Sequence, residues 1–308
     1  MTIRVLKPGF FTTVQDLGRY GYAHLGISPA GAADPLSFRI ANLLVGNDEN
    51  VPALEMTLLG ATLEFEEKAI VALTGASCEC NGSAQVPFNA AFDLPAGATL
   101  KCGSMTTGAR CYLSVQGGFD IPLVMGSAST FVAGHFGGFK GRRLQSGDVL
   151  QVRQHGSFRV RSLRPGALDS LRAPRPLRVT KGSQQDWFGP EAFEKLFSSA
   201  YTVSEQSGRT GLRLKGEAVR PREQSELLTD GIPLGAIQVP QDGQPIILFV
   251  DQQTTGGYPK IANVIAADVH RVGQLRPRDE VGLVEVSVAE AVQAIGEQER
   301  WLRGIFIS

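Results

Sequence analysis

Several signatures that would assign a chemistry at once are missing from this chain. It has no GxxxxGK[ST] loop, so it offers no P-loop for the phosphates of ATP. It has no GxSxG elbow, the turn that presents the nucleophile of many hydrolases. No methionine stands in the Met-Lys-Met setting that carries covalent biotin, so any biotin has to arrive on another protein. Histidine occurs only four times, and neither His24 nor His135 has a partner at metal-ligand spacing, although either is a possible proton carrier. No apolar run approaches the roughly 20 residues needed to cross a bilayer. The opening MTIRVLKPGF lacks the apolar core and cleavage site of a signal peptide, and a cytoplasmic protein is expected. Charge excess is also absent: 30 basic and 30 acidic residues leave no whole-molecule attraction to nucleic acid or anionic membrane.

Cysteine is sparse. The four in the chain lie between positions 78 and 111, with no CxxC and no histidine among them. Cys78 and Cys80 are two apart, so on a strand they share a face and are poorly placed for a mutual disulfide. A four-thiolate zinc site is the alternative; the expectation is reduced, half-buried thiols and no metal.

Glycine and proline are plentiful, at 36 and 17, which suits short strands and tight turns. Between about 60 and 155, β-rich runs (Ala69 to Leu73, Thr99 to Cys102, Cys111 to Val115, Val149 to Val152) alternate with glycine-bearing turns such as NGS, PAG and QSGD. That rhythm predicts a mainly β chain of barrels or sandwiches. Four helices are predicted. One follows Asp34-Pro35 and closes at Gly46; one spans Pro190 to Ser198; one spans Pro259 to His270; one starts at Ser287 with Glu290 at capping-box spacing. A length of 308 residues suggests two domains. The Arg/Pro-rich stretch 161–178 reads as a linker between an N-terminal domain, 1–160, and a C-terminal one, 179–308. An echo between Arg39-Ile-Ala-Asn and Lys260-Ile-Ala-Asn fits either two related domains, each with a basic residue opening a helix, or chance.

Two polar stretches stand out. In VDQQTTGGYPKIANVI (250–265) an apolar run ends at Asp251. Gln252, Gln253, Thr254, Thr255, Gly256, Gly257, Tyr258 and Lys260 follow. Bendable glycine backbone beside hydroxyls makes an anion-binding turn, which a helix beginning near Pro259 would reinforce. The same residues also fit a turn whose polar groups satisfy only its own backbone. The second stretch, TTVQDLGRYGYAHLGISPAGAAD (12–34), places Gln15, Asp16, Arg19, Ser28 and Asp34 around glycines, with Glu55 and Thr57 following on a predicted strand. Either Arg19 forks a carboxylate or it pins the loop through Asp16.

The second stretch, read with ANLLVGN (41–47) and LEMTLLGATLEF (54–65), resembles the opening of the allophanate hydrolase subunit 2 family, also called biotin-dependent carboxyltransferase-like. GARCYLSVQGGFD, GSAST, GGFKGRRLQSGD, DGIPLGAIQVPQDGQPI and DQQTTGGYPKIANVI continue the resemblance in order over nearly the whole chain. It implies two tandem cyclophilin-like β-barrel domains and a partner of the allophanate hydrolase subunit 1 type, the B subunit, with an active site near their interface. It further implies the C subunit of an ATP-dependent 5-oxoprolinase, acting with B and a third subunit, A, with ATP bound alongside the partner. Carboxyl transfer from biotin to urea, or a regulatory role against a kinase inhibitor, are its other implications. It favours the site reading of both stretches. Arg19 and Lys260 are then anion binders and Asp251 a base or orienter, while Gln15, Asp16, Ser28, Asp34, Glu55, Thr57 and residues 253–258 line the substrate. GSAST at 126–130 reads as a turn. The chain departs from the family pattern at Gln252, where an arginine is usual, and at Gly208, where an aspartate is usual.

Overall fold

A computed structural model describes residues 1–82, 86–153, 159–169, 175–222 and 227–307. The chain divides into two compact units. Unit 1 holds Met1–Arg19, Ala30–Ala167 and Leu302–Ser308; unit 2 holds Tyr20–Pro29 and Leu168–Trp301. The crossing at 167/168 falls inside the Arg/Pro-rich stretch, of which residues 170–174 lie outside those described. Two excursions have no sequence signal: residues 20–29 belong to unit 2, and the last seven residues rejoin unit 1.

In unit 1 the strands are β1 (Thr2–Lys7), β2 (Phe11–Gln15), β3 (Ala53–Thr57), β4 (Thr62–Phe65), β5 (Ala69–Gly75), β6 (Cys78–Gly82), β7 (Ala91–Leu94), β8 (Ala98–Met105), β9 (Arg110–Val115) and β10 (Val149–Gln151). They form two five-stranded antiparallel sheets, β10-β1-β4-β8-β6 and β2-β3-β9-β5-β7. Alternating side chains of both sheets, among them Val5, Leu63, Leu100, Leu54, Val71 and Leu113, meet in one apolar core. β1 passes into β2, and so from one sheet to the other, through Pro8-Gly9. Gly9 has φ +73°, and a Cβ there would strike the Leu59 carbonyl, so only glycine fits. Helix α1 (Pro35–Leu44) lies across β5 and β9. Asp34 caps it, accepting from Ser37 N at 2.9 Å, and Pro35 occupies the first turn as predicted. The supposed linker is partly structured. β11 (Ser162–Leu163) pairs with the C-terminal residues Phe306–Ile307, and Arg161 stacks on the Phe306 ring.

Unit 2 is built around an eight-stranded sheet. Its strands are β12 (Leu177–Lys181), β13 (Tyr201–Val203), β14 (Gly211–Lys215), β16 (Ala236–Gln238), β17 (Ile246–Leu248), β19 (Lys260–Val264), β20 (Glu280–Val281) and β21 (Leu283–Glu285). A separate two-residue ribbon pairs β15 (Asp230–Gly231) with β18 (Thr255–Gly256). The sheet order is β20-β13-β14-β17-β16-β19-β12-β21. Its two edge strands are consecutive in sequence and separated only by Gly282, so the sheet curls into a nearly closed barrel. Helix α2 (Pro190–Ser198) packs on β21, and the long helix α4 (Val288–Gly304) starts at the expected capping box. There Ser287 N donates to Glu290 Oε2 at 2.7 Å and Glu290 N donates to Ser287 Oγ at 3.2 Å.

The helix predicted from Pro259 to His270 does not form. Lys260–Val264 is strand β19, followed by a 3-10 turn at Ala266–Asp268 and the one-turn helix α3 (Val269–Val272). β19 lies in the middle of the barrel sheet between β12 and β16, and four of its five residues are buried. A strand covered on both faces loses the alternation that would mark it. The helix-dipole contribution expected at Pro259 therefore has no basis. The echo between Arg39-Ile-Ala-Asn and Lys260-Ile-Ala-Asn also fails as a structural equivalence, because the first lies on α1 and the second on β19.

Candidate functional site

In unit 1 the buried polar residues form two networks. Asp16, at the end of β2, accepts from Gly18 N at 2.8 Å, Ser127 Oγ at 2.7 Å, Ser129 Oγ at 2.5 Å and Ala128 N at 2.6 Å. GSAST is thus a turn only at its start. Ser127 to Thr130 run buried against β2, with Thr130 N bonded to Val14 O. Gln15 Nε2 reaches Thr13 Oγ1 at 2.9 Å and Thr130 O at 3.3 Å. Arg19 is buried, donates to the carbonyls of Val124 and Ser129, and lies over the Phe136 ring at 4.9 Å.

The second network joins Glu55, Tyr112 and Asp34. Tyr112 OH donates to Glu55 Oε2 at 2.7 Å and accepts from Asp34 N at 2.7 Å; Glu55 also accepts from Ala33 N at 2.8 Å. Burial, then the charges of Glu55 and Asp34, pushes the Tyr112 hydroxyl well above its usual range, so it remains a donor. Arg110 Nε lies 3.7 Å from Glu55 Oε1. Thr57, at the far end of β3, keeps its hydroxyl buried without a hydrogen bond among the described residues.

In unit 2 the DQQTTGGYPK stretch separates into a buried base and an exposed rim. Asp251 is gripped by Arg209: Nε to Oδ2 at 2.8 Å and Nη2 to Oδ1 at 3.0 Å, while Asp251 N donates to Arg209 O. Gln252 is buried, donating from Nε2 to Ile232 O at 2.9 Å, and its own carbonyl accepts the hydroxyl of Ser28. Ser28 therefore joins this cluster through the 20–29 excursion. Lys260 is 2 % exposed, and its ammonium lies 2.8 Å from Asp230 Oδ2. Asp230 itself is half open to solvent on the β15–β18 ribbon, and the Lys260 ammonium holds its carboxyl below the ordinary range. Gln184 completes this set, with Oε1 accepting from Lys260 N at 3.2 Å and Nε2 3.5 Å from Asp230. Gly182 lies so close that a Cβ there would strike the Lys260 carbonyl. Gln253, Thr255, Gly257 and Tyr258 form the exposed rim; Thr254 and Gly256 are half-buried.

Several participants were not among the predicted site residues. Arg209, Asp230 and Gln184 in unit 2, and Ser127, Ser129 and Tyr112 in unit 1, are brought in by the fold from distant positions, and although several lie in motifs of the resemblance, the sequence did not mark them as site residues. Chemically, unit 2 offers a buried cation paired with a solvent-facing carboxylate, under a rim of hydroxyl and backbone donors. That arrangement suits an incoming carboxylate or phosphate.

Comparison with known proteins places this geometry. The carboxyltransferase domain family, subdomain A and B, matches residues 25–285. The chain is 40 % identical to the 5-oxoprolinase C subunit of Escherichia coli, over 97 % of this chain and 96 % of that protein. It is 38 % identical to the 5-oxoprolinase C subunit of Haemophilus influenzae, over 94 % and 93 %. The crystal structure of the K. lactis urea amidolyase superposes with a TM-score of 0.91 at 34 % identity, covering 98 % of this chain but 20 % of that one. The chain thus spans about a fifth of the urea amidolyase.

Proposed function

Because this chain belongs to the carboxyltransferase domain family, we propose that it works as the C subunit of an ATP-dependent 5-oxoprolinase. In this reading it opens the lactam of 5-oxoproline to glutamate as one component of a complex. Its partners are a B subunit of the allophanate hydrolase subunit 1 type and a third subunit, A. The observation that carries the reading is the end-to-end match to two 5-oxoprolinase C subunits. The urea amidolyase contains this fold only as a fifth of a much longer chain.

The reaction is difficult because the amide is resonance-stabilised and water is a weak nucleophile. ATP, as a substrate, supplies the phosphate that turns the amide oxygen into a leaving group, and it binds alongside the partner. What remains for this chain is to hold anions and keep dipoles oriented. Lys260 is assigned to the substrate carboxylate, exchanging Asp230 for it at the ribbon. Thr254, Thr255 and the Gly256-Gly257 backbone are assigned as donors at the rim, with Gln253 and Tyr258 beside them. Asp251 is assigned as an orienter, since the Arg209 fork occupies both its oxygens. Arg19, Asp16, Gln15, Asp34 and Glu55 are assigned to positioning, on the bonds described above to backbone and to neighbouring side chains.

Mixing the chain with its two partner subunits, ATP and 5-oxoproline tests this reading. Glutamate release that requires all three subunits supports it; assembly without release from 5-oxoproline removes it. Carboxyl transfer from biotin is the second reading, favoured by the close superposition on the urea amidolyase. It predicts that avidin abolishes turnover, whereas the oxoprolinase reading predicts no effect of avidin.

A further inference from the structure

The cysteines take no part in the reading above, yet the fold gathers them. Cys78 and Cys80 lie on β6, the edge strand of its sheet, on either side of a register irregularity. Cys102 lies on β8, directly paired with Cys80. Their sulfurs are all within 4.8 Å of one another, with Cys78 to Cys80 at 3.4 Å and Cys80 to Cys102 at 4.0 Å. Cys111, from β9 of the other sheet, is buried in the same apolar core but is not part of this group of three sulfurs. All four are free thiols.

Sulfurs bound tetrahedrally to zinc at about 2.3 Å stand about 3.8 Å apart along each edge, and the observed separations bracket that value. No carboxylate or imidazole joins this group among the described residues, which disfavours the hard cations that want oxygen. The packing fixes the sulfurs. Gly60 faces Cys102 so tightly that a Cβ would collide with its Cβ, and a Cβ on Gly103 would lie 2.9 Å from the Glu79 carbonyl. Cys80 is half-buried while Cys78 and Cys102 are buried, which gives the cluster one open side.

We propose that Cys78, Cys80 and Cys102 form a three-thiolate site for a thiophilic closed-shell cation, zinc or monovalent copper. Binding displaces the thiol protons to solvent and forms three metal–sulfur bonds, with no oxidation of either partner. The metal ties the edge strand β6 to β8, and its role is to clip unit 1 rather than to act on substrate. The site is independent of the oxoprolinase reading.

The test uses the full chain, purified metal-free in a phosphine reductant. Zinc is offered from a chromophoric chelator, monovalent copper from its bicinchoninate complex, and cobalt serves as the spectroscopic probe. We expect about one equivalent bound, sulfur-to-cobalt charge-transfer bands, and slower alkylation of Cys80 when metal is present. The metal held more tightly against its chelator identifies the natural class. Cys80→Ser, at the half-buried position, is expected to weaken binding about 100-fold or more, since one of three comparable ligands is lost. Metal should raise the Tm of the wild-type chain and leave that of Cys80→Ser unchanged. The proposal is overturned if neither metal leaves its chelator, if Cys80→Ser binds as the parent does, or if Cys80 alkylates equally fast with and without metal.

Discussion

Arg209 and Asp251 face each other through two parallel bonds, 2.8 and 3.0 Å, with both side chains largely shielded from water. They are 42 positions apart in sequence. The barrel brings them together because β14 pairs with β17, which aligns Gly211 with Leu248 and lets Asp251 N bond to Arg209 O. The fork keeps the backbone of the DQQTTGG stretch in register beneath its exposed rim.

Removing one half of this pair strands the other. Arg209→Met is expected to destabilise unit 2 by about 3 kcal/mol, the usual cost of leaving a buried partner uncompensated. The double variant Arg209→Met with Asp251→Leu should recover most of the loss. Urea unfolding midpoints of the two single variants and the double variant measure the coupling; additive losses would mean the pair does not interact energetically.

Under the proposed assignment, Lys260 is expected to matter more for turnover than for stability. Its partner Asp230 is solvent-facing and tolerates losing the cation. Lys260→Met, which keeps the apolar stem, should leave Tm within a few degrees of the parent yet lower glutamate formation by about 100-fold or more. Near-parental turnover in that variant would take Lys260 out of the site.

Asp148 sets part of the acid limb of stability. Arg142 donates to both its oxygens at 2.7 Å, and Gln145 N adds a third bond at 2.7 Å. The Arg142 guanidinium, foremost, holds the Asp148 carboxyl below the ordinary carboxylate range. A carboxyl depressed in the folded state contributes its full stabilisation above its unfolded value, near about 3.9, and loses it as pH falls through the folded value. Asp148→Asn should therefore lower stability at pH 7 and flatten its decline below about pH 4. Parallel acid limbs for variant and parent in urea titrations would refute this.

The start of α4 offers a local test. Ser287→Ala removes the hydroxyl that caps Glu290 N, at a cost of about 1 kcal/mol. Ser287→Asp should retain most of the stability, as read by thermal unfolding.

What the sequence disclosed follows from how local each signal is. Asp34-Pro35 and Ser287-x-x-Glu290 carry their helix starts within four residues, and both helices form where these signals place them. Lys260–Val264 misled because Ile261, Ala262 and Val264 are buried together in a doubly covered strand, and that spacing also fits a helix turn. Arg39-Ile-Ala-Asn lies instead in a helix whose start Asp34 and Pro35 mark. The polar stretches at 12–34 and 251–260 are visible by composition alone. Their partners are not: Asp230 meets Lys260 across 30 positions and Ser127 meets Asp16 across 111, and such pairings exist only once strand register is set. The thiol cluster is hidden for the same reason, since Cys80 opposite Cys102 is a fact of register and not of spacing.

The most direct measurement is coupled product formation by the reconstituted three-subunit mixture supplied with 5-oxoproline and ATP. We expect about one ADP per glutamate, as phosphoryl activation of the lactam requires, and no glutamate when this chain is omitted. Undiminished glutamate formation without this chain, or a fully assembled mixture that consumes ATP only when given urea and a biotin carrier, would contradict the assignment.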